Sequence, residues 1–343
     1  MSIDILPWHQ AALAELLSRR ASLPHALLVY GRPGVGKLEF ARAIAQSLLC
    51  ESPDNGIACG KCLACGWYRE GNHPDFRELF PEALGEDEAD GEGESHTDTP
   101  AGTDAKVKTK SKEIKIEQVR DIAGFMTLTT HRAGFRVLLL HPAETMGPAA
   151  ANALLKTLEE PPPQTVILLV TDRIGRLMAT IKSRCQRLLV PAPSEELALQ
   201  WLADQKVDDP QSALSHAGGA PLDAITFADA DYQADRKSFV QILSDRNADY
   251  LAAAQSFEKR ELVSILDWLQ SWIVDLALSR FTGEVRYHRD QRAAISRIAT
   301  RMNVPALFRY ESQLRQVRRS VHHPLNRRLL LEQLLISYSQ AIR

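Results

Sequence analysis

The sequence predicts an α/β fold up to residue 190, a parallel sheet with helices on both faces, followed by a small helical domain and a larger all-helical domain. Short apolar runs alternate with helical patterns up to that point, which is typical of parallel sheets whose crossover connections are helices. A glycine-rich loop stands directly between the first apolar run and the next helix. Beyond Pro191 the strand patterns end, and helical periodicity continues to Arg343.

The elements of the first part follow from hydrophobic spacing. Residues 8–20 have a helical pattern, and His25–Tyr30 (HALLVY) is a short apolar run before a glycine, as expected for a buried strand. Phe40, Ile44 and Leu48 then recur at helical spacing. The later patterns predict helices over Ile116–Met126 and Ala151–Leu158, and strands over Arg136–Leu140, Thr165–Val170 and Arg187–Val190.

The second part begins after a proline pair. Pro191 and Pro193 indicate a hinge, and Ser194 is expected to cap the next helix. We therefore predict three domains, over 1–190, 191–232 and 233–343. The last of these has long amphipathic helices, which indicates a helical bundle.

One segment of the first domain departs from the pattern. Residues 82–112 are rich in Glu, Asp, Gly and Thr, then in Lys, and are nearly empty of large apolar residues. Such a segment cannot bury enough surface to offset the cost of ordering, so we predict a disordered insertion. Its acidic half followed by a basic half would suit a binding tail, but a tolerated surface loop is the simpler interpretation.

Composition limits the classes of function. Hydrophobic residues make up 45% of the 343 residues, and the net charge of −2 gives no general attraction to nucleic acid. Any DNA contact would need a local patch or partner chains. We expect no segment long and apolar enough to cross a bilayer and no signal peptide, hence a cytoplasmic protein. In that compartment clustered cysteines are more often metal ligands than disulfides.

The glycine-rich loop has the spacing of a phosphate-binding loop. Gly31–Lys37 (GRPGVGK) matches G-x-x-x-x-G-K between a predicted strand and a predicted helix, which is the context that this motif requires. Its backbone N–H groups and the helix N-terminus would face phosphate oxygens, and the lysine would reach the terminal phosphates. The predicted phosphate-binding residues are Gly31, Gly34, Gly36 and Lys37.

The same site lacks the groups that hold magnesium. Leu38 stands where a Ser or Thr hydroxyl should bind Mg²⁺. His141 and Pro142 follow the strand where an active enzyme needs Asp and then Glu, and Glu144 lies beyond the strand end as an expected exposed carboxylate. Because phosphoryl transfer depends on positioning and electrostatics, we expect negligible hydrolysis and weak ATP binding at most.

Four of the five cysteines form a metal-ligand pattern, and the last three of these are spaced C-x₂-C-x₂-C. Four thiolates can surround Zn²⁺ and leave no open position, so the site would be structural. An iron–sulfur cluster is the alternative, and His73 could replace one ligand. Cys185 stands apart and is expected to be packed in the core. The predicted zinc ligands are Cys50, Cys59, Cys62 and Cys65, in a module over 50–76.

Two motifs carry a resemblance to a known family. Asn152–Pro162 (NALLKTLEEPP), followed by Ser183-Arg184-Cys185, resembles the bacterial clamp-loader AAA+ subunits. The cysteine insertion and its following His73-Pro-Asp75, and the stretch Asn326–Leu335, are similar as well. The resemblance covers most of the chain outside residues 82–112.

The resemblance implies an α/β AAA+ domain, a helical lid domain over 191–232 and a helical collar domain from residue 233. It also implies a five-subunit ring with ATP between neighbours, in which Arg184 points as an arginine finger toward ATP on the adjacent gamma/tau subunit. An arginine fork suits γ-phosphate oxygens and adds a large rate factor in trans. A sensing arginine of this family is replaced here by Leu222, a third departure from activity.

For this chain the resemblance implies a non-hydrolysing subunit with a structural Zn²⁺. Its partners would be the delta and gamma/tau subunits and, through the complex, the sliding clamp and primed DNA at the nucleoid. Lys156 and Glu159 would couple it to its neighbours or to DNA phosphate, and the sequence leaves both open. The alternatives are an active AAA+ clamp-loader ATPase of the gamma/tau type and an independent zinc-dependent nucleic-acid binder.

Overall fold

The computed structural model of the chain describes residues 5–85, 111–127, 134–245, 247–321 and 326–342. The chain divides into two compact units, residues 1–193 and 194–343. The division falls directly after Pro193, at the proline pair for which the sequence predicts a hinge. The three-domain division remains a prediction.

Within the described residues of the first unit, five parallel strands form one sheet. They are β1 (Ala26–Tyr30), β2 (Phe76–Leu79), β3 (Arg136–Leu140), β4 (Thr165–Thr171) and β5 (Gln186–Leu189). Their order across the sheet is β2-β3-β4-β1-β5. The predicted strands are all present. Sequence patterns did not predict β2, because it is the outermost strand of the sheet and lacks the continuous apolar run of a central strand.

Helices cover both faces of this sheet. Leu27 and Val29 of β1 pack into one buried cluster, while Ala26 and Leu28 pack into another. Because neighbouring side chains of a strand point to opposite faces, these clusters lie on the two sides of the sheet. This confirms the predicted sheet with helices on both faces. The helices are α1 (Gln10–Ser18), α2 (Lys37–Leu49), α3 (Leu63–Arg69), α4 (Ile116–Thr127), α5 (Pro148–Glu159) and α6 (Ala179–Lys182).

The predicted insertion over 82–112 is only partly described, since residues 86–110 lie outside the described residues. Both of its ends are ordered. The Ala83 N–H donates to the Ser111 carbonyl oxygen at 3.1 Å, and Lys115 Nζ lies 2.7 Å from Glu82 Oε1. The expectation of disorder was therefore wrong for residues 82–85 and 111–112, because their backbone and side chains find partners across the base of the segment.

The described residues of the second unit are helical and contain no strand. Ser194 caps the first helix as predicted, with its Oγ accepting the Leu197 N–H at 3.3 Å. The boundary predicted at 232/233 lies within the helix α10 (Ala230–Ser244), and the division into a lid and a collar domain stays a prediction. The helices are α7 (Glu195–Asp204), α8 (Pro210–His216), α9 (Pro221–Phe227), α10 (Ala230–Ser244), α11 (Tyr250–Phe257), α12 (Leu262–Thr282), α13 (Arg292–Ala299), α14 (Val304–Ser320) and α15 (Arg327–Ala341).

A buried carboxylate connects separate segments of the second unit through hydrogen bonds. Asp275 of α12 is fully buried, and its oxygens accept the backbone N–H groups of Arg286, Tyr287 and His288. Arg286 then donates to the Gly218 carbonyl oxygen at 2.7 Å, beside the end of α8. These bonds connect the predicted lid to the long helix of the predicted collar, which explains why both belong to one compact unit.

Among the described residues, α12 alone is long and apolar enough to cross a membrane by length and composition. The expectation that no segment reaches this limit was therefore wrong. However, its Trp272, Leu269 and Leu276 are fully buried in the core of the second unit. The apolar composition of α12 is accounted for by packing inside a helical bundle.

Candidate functional site

Two opposite edges of the sheet hold the candidate site residues. In a parallel sheet the carboxyl ends of all strands lie at one edge, called here the carboxyl edge, and the amino ends lie at the other, the amino edge. The phosphate loop follows β1 and His141 follows β3, so both lie at the carboxyl edge. Arg184 precedes β5 and therefore lies at the amino edge. With 5 residues in β1, the two edges are roughly 15 Å apart.

The phosphate loop has the backbone that its glycines predict. Gly34 and Gly36 have φ values of 67° and 87°, which L side chains rarely adopt. A Cβ on Gly31 would come within 2.4 Å of the Val190 carbonyl oxygen at the end of β5. A Cβ on Gly36 would come within 2.3 Å of Leu6 Cδ1. Glycine is therefore required for packing as well as for phosphate approach.

Lys37 is closed off inside its own chain. Its side chain is only 4% exposed, and its Nζ donates to the Arg32 carbonyl oxygen of the same loop. The Nζ also lies 2.5 Å from Asp172 Oδ1, directly after β4. The charge that would bind terminal phosphates is thus neutralised by a carboxylate of the same edge. Leu38 beside it offers no oxygen to a metal ion.

The segment before α1 packs against this loop, which sequence patterns did not indicate. The Trp8 indole N–H donates to the Val35 carbonyl oxygen at 3.0 Å. His9 is buried, 3% exposed, with its ring 5.0 Å from that of Phe40. Burial lowers the pKa of His9 to about 4, against the opposing effect of a hydrogen bond with the Val35 backbone. The loop is therefore packed from outside by the half-buried Trp8 and the buried His9.

The end of β3 carries a charge network in place of metal ligands. His141 Nε2 lies 2.8 Å from Glu78 Oε1, at the end of the neighbouring strand β2. The same oxygen accepts from Arg42 Nε at 3.0 Å and from Arg42 Nη2 at 2.9 Å. Burial raises the pKa of Glu78, but pairing with His141 and Arg42 outweighs it, so the net pKa is lower than usual. The carboxylate present at this point is committed to two side chains of its own chain.

Glu144 differs from the sequence expectation. It lies beyond the end of β3 as predicted, but it is half-buried instead of exposed. Its Oε1 accepts the backbone N–H of Asp172 at 3.3 Å. Because the ends of β3 and β4 are neighbours, Glu144 reaches the residue that pairs with Lys37. The sequence could not show this, since 28 residues separate the two positions.

At the amino edge, Arg184 lies at the surface. The residue follows the short helix α6, and its side chain is 33% exposed. Its Nη1 donates to the Thr180 carbonyl oxygen at 3.0 Å and to Ser183 Oγ at 3.4 Å. Its Nη2 lies 2.5 Å from Glu159 Oε1, at the end of α5. Cys185 is buried, as expected, and belongs to the core beneath α5 and α6.

The position predicted to lack a sensing arginine carries a half-buried leucine. Leu222 lies in the first turn of α9 and is half-buried, next to the buried Pro221 and Ala224. An isobutyl side chain cannot pair with a phosphate.

The four clustered cysteines come together as the spacing predicts. Their Sγ atoms all lie within 4.8 Å of one another, with Cys50 and Cys59 at 3.5 Å and Cys50 and Cys62 at 3.8 Å. A tetrahedral Zn²⁺ with Zn–S bonds of roughly 2.3 Å places its sulfur atoms about 3.8 Å apart. The donor set therefore fits a four-thiolate metal site. His73 is not part of this group.

Backbone N–H groups surround these sulfur atoms. The Cys59 N–H donates to Cys50 Sγ at 3.3 Å, and the Cys62 N–H donates to Cys59 Sγ at 3.3 Å. Hydrogen bonds from the Lys61 and Cys62 N–H groups lower the pKa of the Cys59 thiol to about 6, whereas burial raises the pKa of Cys65. Such bonds favour thiolates, which are the form that binds metal.

Gly60, between Cys59 and Cys62, has a φ of 68°, in the left-handed region that favours glycine. Ala64 and Gly66 lie in α3. The helix places Cys62 at its N-cap and Cys65 in its first turn, so the two sulfur atoms face the same point.

The first unit thus carries a phosphate-loop motif directly after the first strand of a parallel sheet, and the second unit is helical in its described residues. A family model described as "DNA polymerase III, delta subunit" matches residues 9–194, and a model described as "DNA polymerase III, delta subunit, C terminal" matches residues 230–340. The DNA polymerase III subunit delta' of Pseudomonas aeruginosa is 35% identical over 98% of both chains.

The subunit delta' of Escherichia coli K12 is 28% identical over 91% of this chain and 88% of its own. A DNA polymerase III subunit gamma from Buchnera aphidicola is 33% identical, over 52% of this chain and 41% of its own. This chain belongs to the delta-prime family of DNA polymerase III subunits.

Proposed function

We propose that this protein is a non-hydrolysing subunit of a clamp loader that donates Arg184 to ATP bound by an adjacent gamma/tau-type subunit. The observation that carries this proposal is the contrast between the two edges of the sheet. Lys37 is enclosed with Asp172 at the carboxyl edge, whereas Arg184 lies at the surface of the amino edge.

Geometry favours action in trans over action in cis. Arg184 lies at the edge of the sheet opposite its own phosphate loop, roughly 15 Å away along the strands. An arginine must contact the γ-phosphate oxygens directly to stabilise the transition state. Arg184 can therefore serve only a nucleotide held by another chain, so that hydrolysis depends on correct assembly.

The carboxyl edge has lost the groups for its own hydrolysis. Leu38 and His141 replace oxygen ligands of Mg²⁺, and the nearby Glu78 is committed to Arg42 and His141. Asp172 already holds the lysine that would bind the terminal phosphates. We infer that the chain is a degenerate ATPase whose role in loading the sliding clamp onto primed DNA is structural and regulatory.

The experiment uses a clamp-loader complex reconstituted from this chain and the delta and gamma/tau subunits of the same organism. Arg184→Ala should still assemble but should lower DNA-stimulated ATP turnover and impair loading of the sliding clamp. An arginine finger contributes a factor of about 10³–10⁵ in kcat at its own site, so ATP hydrolysis at that one interface should nearly stop. Arg187→Ala, which removes an exposed arginine from the neighbouring strand β5, is the matched control. Equal turnover in the two variants would exclude the trans finger.

We further propose that Cys50, Cys59, Cys62 and Cys65 bind one structural Zn²⁺. The support is the donor set and its spacing, together with the N–H groups that stabilise thiolates. When bound, the ion would cross-link the segment after α2 to α3, and its closed coordination would leave no position for catalysis.

Metal analysis of the purified chain tests this site. About one zinc per chain is expected, lost on changing Cys59 and Cys62 to Ser and kept on changing Cys185, whose thiol lies in a different core cluster, to Ala. Finding iron and inorganic sulfide instead would support an iron–sulfur cluster.

A further inference from the structure

The guanidinium group of Arg184 already has an anionic partner in its own chain. Its Nη2 lies 2.5 Å from Glu159 Oε1, and its Nη1 is engaged by the Thr180 carbonyl oxygen. We propose that Glu159 is a positioning residue that holds Arg184 in a waiting position until ATP on the neighbouring subunit displaces the carboxylate. This inference rests on the proposed function of Arg184 as a trans finger.

Buried neighbours fix the two partners opposite each other. Leu158 directly precedes Glu159, Cys185 directly follows Arg184, and both are buried in one hydrophobic cluster. The Leu158 carbonyl oxygen also lies 3.0 Å from His25 Nε2, just before β1. The backbones on both sides are therefore anchored. The charged side chains next to them leave the core at neighbouring points of the amino edge, which makes their pairing a consequence of the fold.

The pair is exposed enough to be exchanged. The side chains of Arg184 and Glu159 are 33% and 49% exposed, so water and salt screen their attraction. A buried pair would resist separation, because each charge would be left without compensation. Separating an exposed pair costs little free energy when an anion of higher charge binds the arginine. Arg184 therefore stays available to a neighbouring subunit.

Carboxylate and phosphate compete for the same donors. The planar fork of arginine binds carboxylate and phosphate oxygens in similar geometry, and a triphosphate carries several negative charges where a carboxylate carries one. While Glu159 Oε1 contacts Nη2, the carboxylate competes with a γ-phosphate for the N–H groups of that nitrogen. Glu159 therefore raises the ATP concentration at which the finger engages, without touching the nucleotide itself.

The test measures ATP turnover of the reconstituted complex against ATP concentration, with sliding clamp and primed DNA present. Glu159→Gln keeps the shape of the side chain but removes its charge. The KM for ATP should fall by about twofold to fivefold, the factor that an exposed ion pair represents. The kcat should stay unchanged, because the finger engages in the same way once ATP is bound. Glu160→Gln, which removes the adjacent exposed charge, should leave both constants unchanged.

A double variant separates this inference from the function on which it rests. In complexes with Arg184→Ala, adding Glu159→Gln should no longer change the KM. If Arg184→Ala alone leaves turnover unchanged, the trans finger itself is excluded. If Arg184→Ala lowers turnover but Glu159→Gln leaves the KM unchanged, Arg184 acts as a trans finger but Glu159 does not hold it in a waiting position. A kcat that falls in Glu159→Gln as it does in Arg184→Ala would also overturn the inference, since Glu159 would then align the finger productively.

Discussion

The two edges of the sheet each hold a cation suited to ATP, but the surroundings of the two cations differ. At the carboxyl edge Lys37 is 4% exposed and enclosed with Asp172. At the amino edge the Arg184 side chain is 33% exposed and only lightly held by Glu159. The lysine, which would bind a nucleotide of its own chain, is enclosed, whereas the arginine that we propose acts on another chain is accessible. The difference supports a protein whose chemistry is useful only across an interface.

The carboxyl edge is held together by contacts within its own chain. Its polar side chains contact one another, as His141 and Arg42 do with Glu78, and the loop is packed from outside by His9 and Trp8. These contacts make the edge a scaffold. Its stability should then depend on packing, on metal and on internal pairs, and not on nucleotide.

Metal removal should have the largest effect on this scaffold. The cysteine cluster begins at Cys50, the C-cap of the helix that follows the phosphate loop. Because the binding free energy of a structural metal is also folding free energy, chelation should lower the free energy of unfolding by several kcal/mol, on the order of 5 kcal/mol. Calorimetry of the purified chain with and without a strong chelator measures this. An unchanged unfolding transition would mean that the sulfur atoms do not hold the scaffold.

Acid should destabilise the loop through His9. Burial lowers its folded pKa to about 4, while an unfolded histidine titrates near 6.5. Between these values the unfolded chain binds the proton more strongly, so the stability from neutral His9 falls as the pH drops from 6.5 to 4. The slope is at most about 1.4 kcal/mol per pH unit, on the order of 3 kcal/mol in all.

His9→Leu should remove that part of the pH dependence, because leucine does not titrate. Urea unfolding at pH 7, 5.5 and 4.5 compares the two chains, and the variant also controls for carboxylates such as Glu78 that lose stability in acid. Equal slopes in both chains would show that His9 is not held neutral against the loop.

A smaller loss in the free energy of unfolding is expected when Asp172 is changed. Asp172→Asn leaves the buried ammonium of Lys37 with the Arg32 carbonyl oxygen as its remaining partner described here. Since Asp172 is 43% exposed and its pair is partly screened, the loss should be about 1 kcal/mol. Adding Lys37→Met should recover most of it in a double-mutant cycle, because the uncompensated charge is gone. A purely additive cycle would show that the two residues do not interact.

The smallest effect should come from nucleotide. A binding site occupied at 100 times its Kd adds about 2.7 kcal/mol to the stability of a folded protein. With Lys37 enclosed and Leu38 beside it, ATP with Mg²⁺ should leave the Tm of this chain unchanged. A gamma/tau-type subunit under the same conditions is the positive control. A comparable upward shift in this chain would show that the carboxyl edge still accepts a triphosphate.

Sequence patterns predicted the central strands and long helices, because buried β1, β3 and β4 leave apolar runs. They missed β2 and α3, which are short and partly exposed and so have weak patterns. The cysteine group was also predictable, since its ligands lie close together in the chain.

Pairings between distant residues were not predictable. Lys37 with Asp172, Glu159 with Arg184, and Glu144 with the Asp172 N–H all join positions that are far apart in sequence. Each pairing arises because parallel strands bring their ends to a common edge. Sequence spacing identified the side chains that carry charge but could not say which of them neutralise one another.

Clamp loading by two matched complexes tests the contrast between the edges most directly, one complex carrying Lys37→Met and the other Arg184→Ala. Lys37→Met should load clamps onto primed DNA within about twofold of the unchanged complex, because a lysine enclosed with Asp172 takes no part in hydrolysis. Arg184→Ala should lose on the order of tenfold or more. A large loss with Lys37→Met and little with Arg184→Ala would contradict the account, since the active cation would then lie at the carboxyl edge.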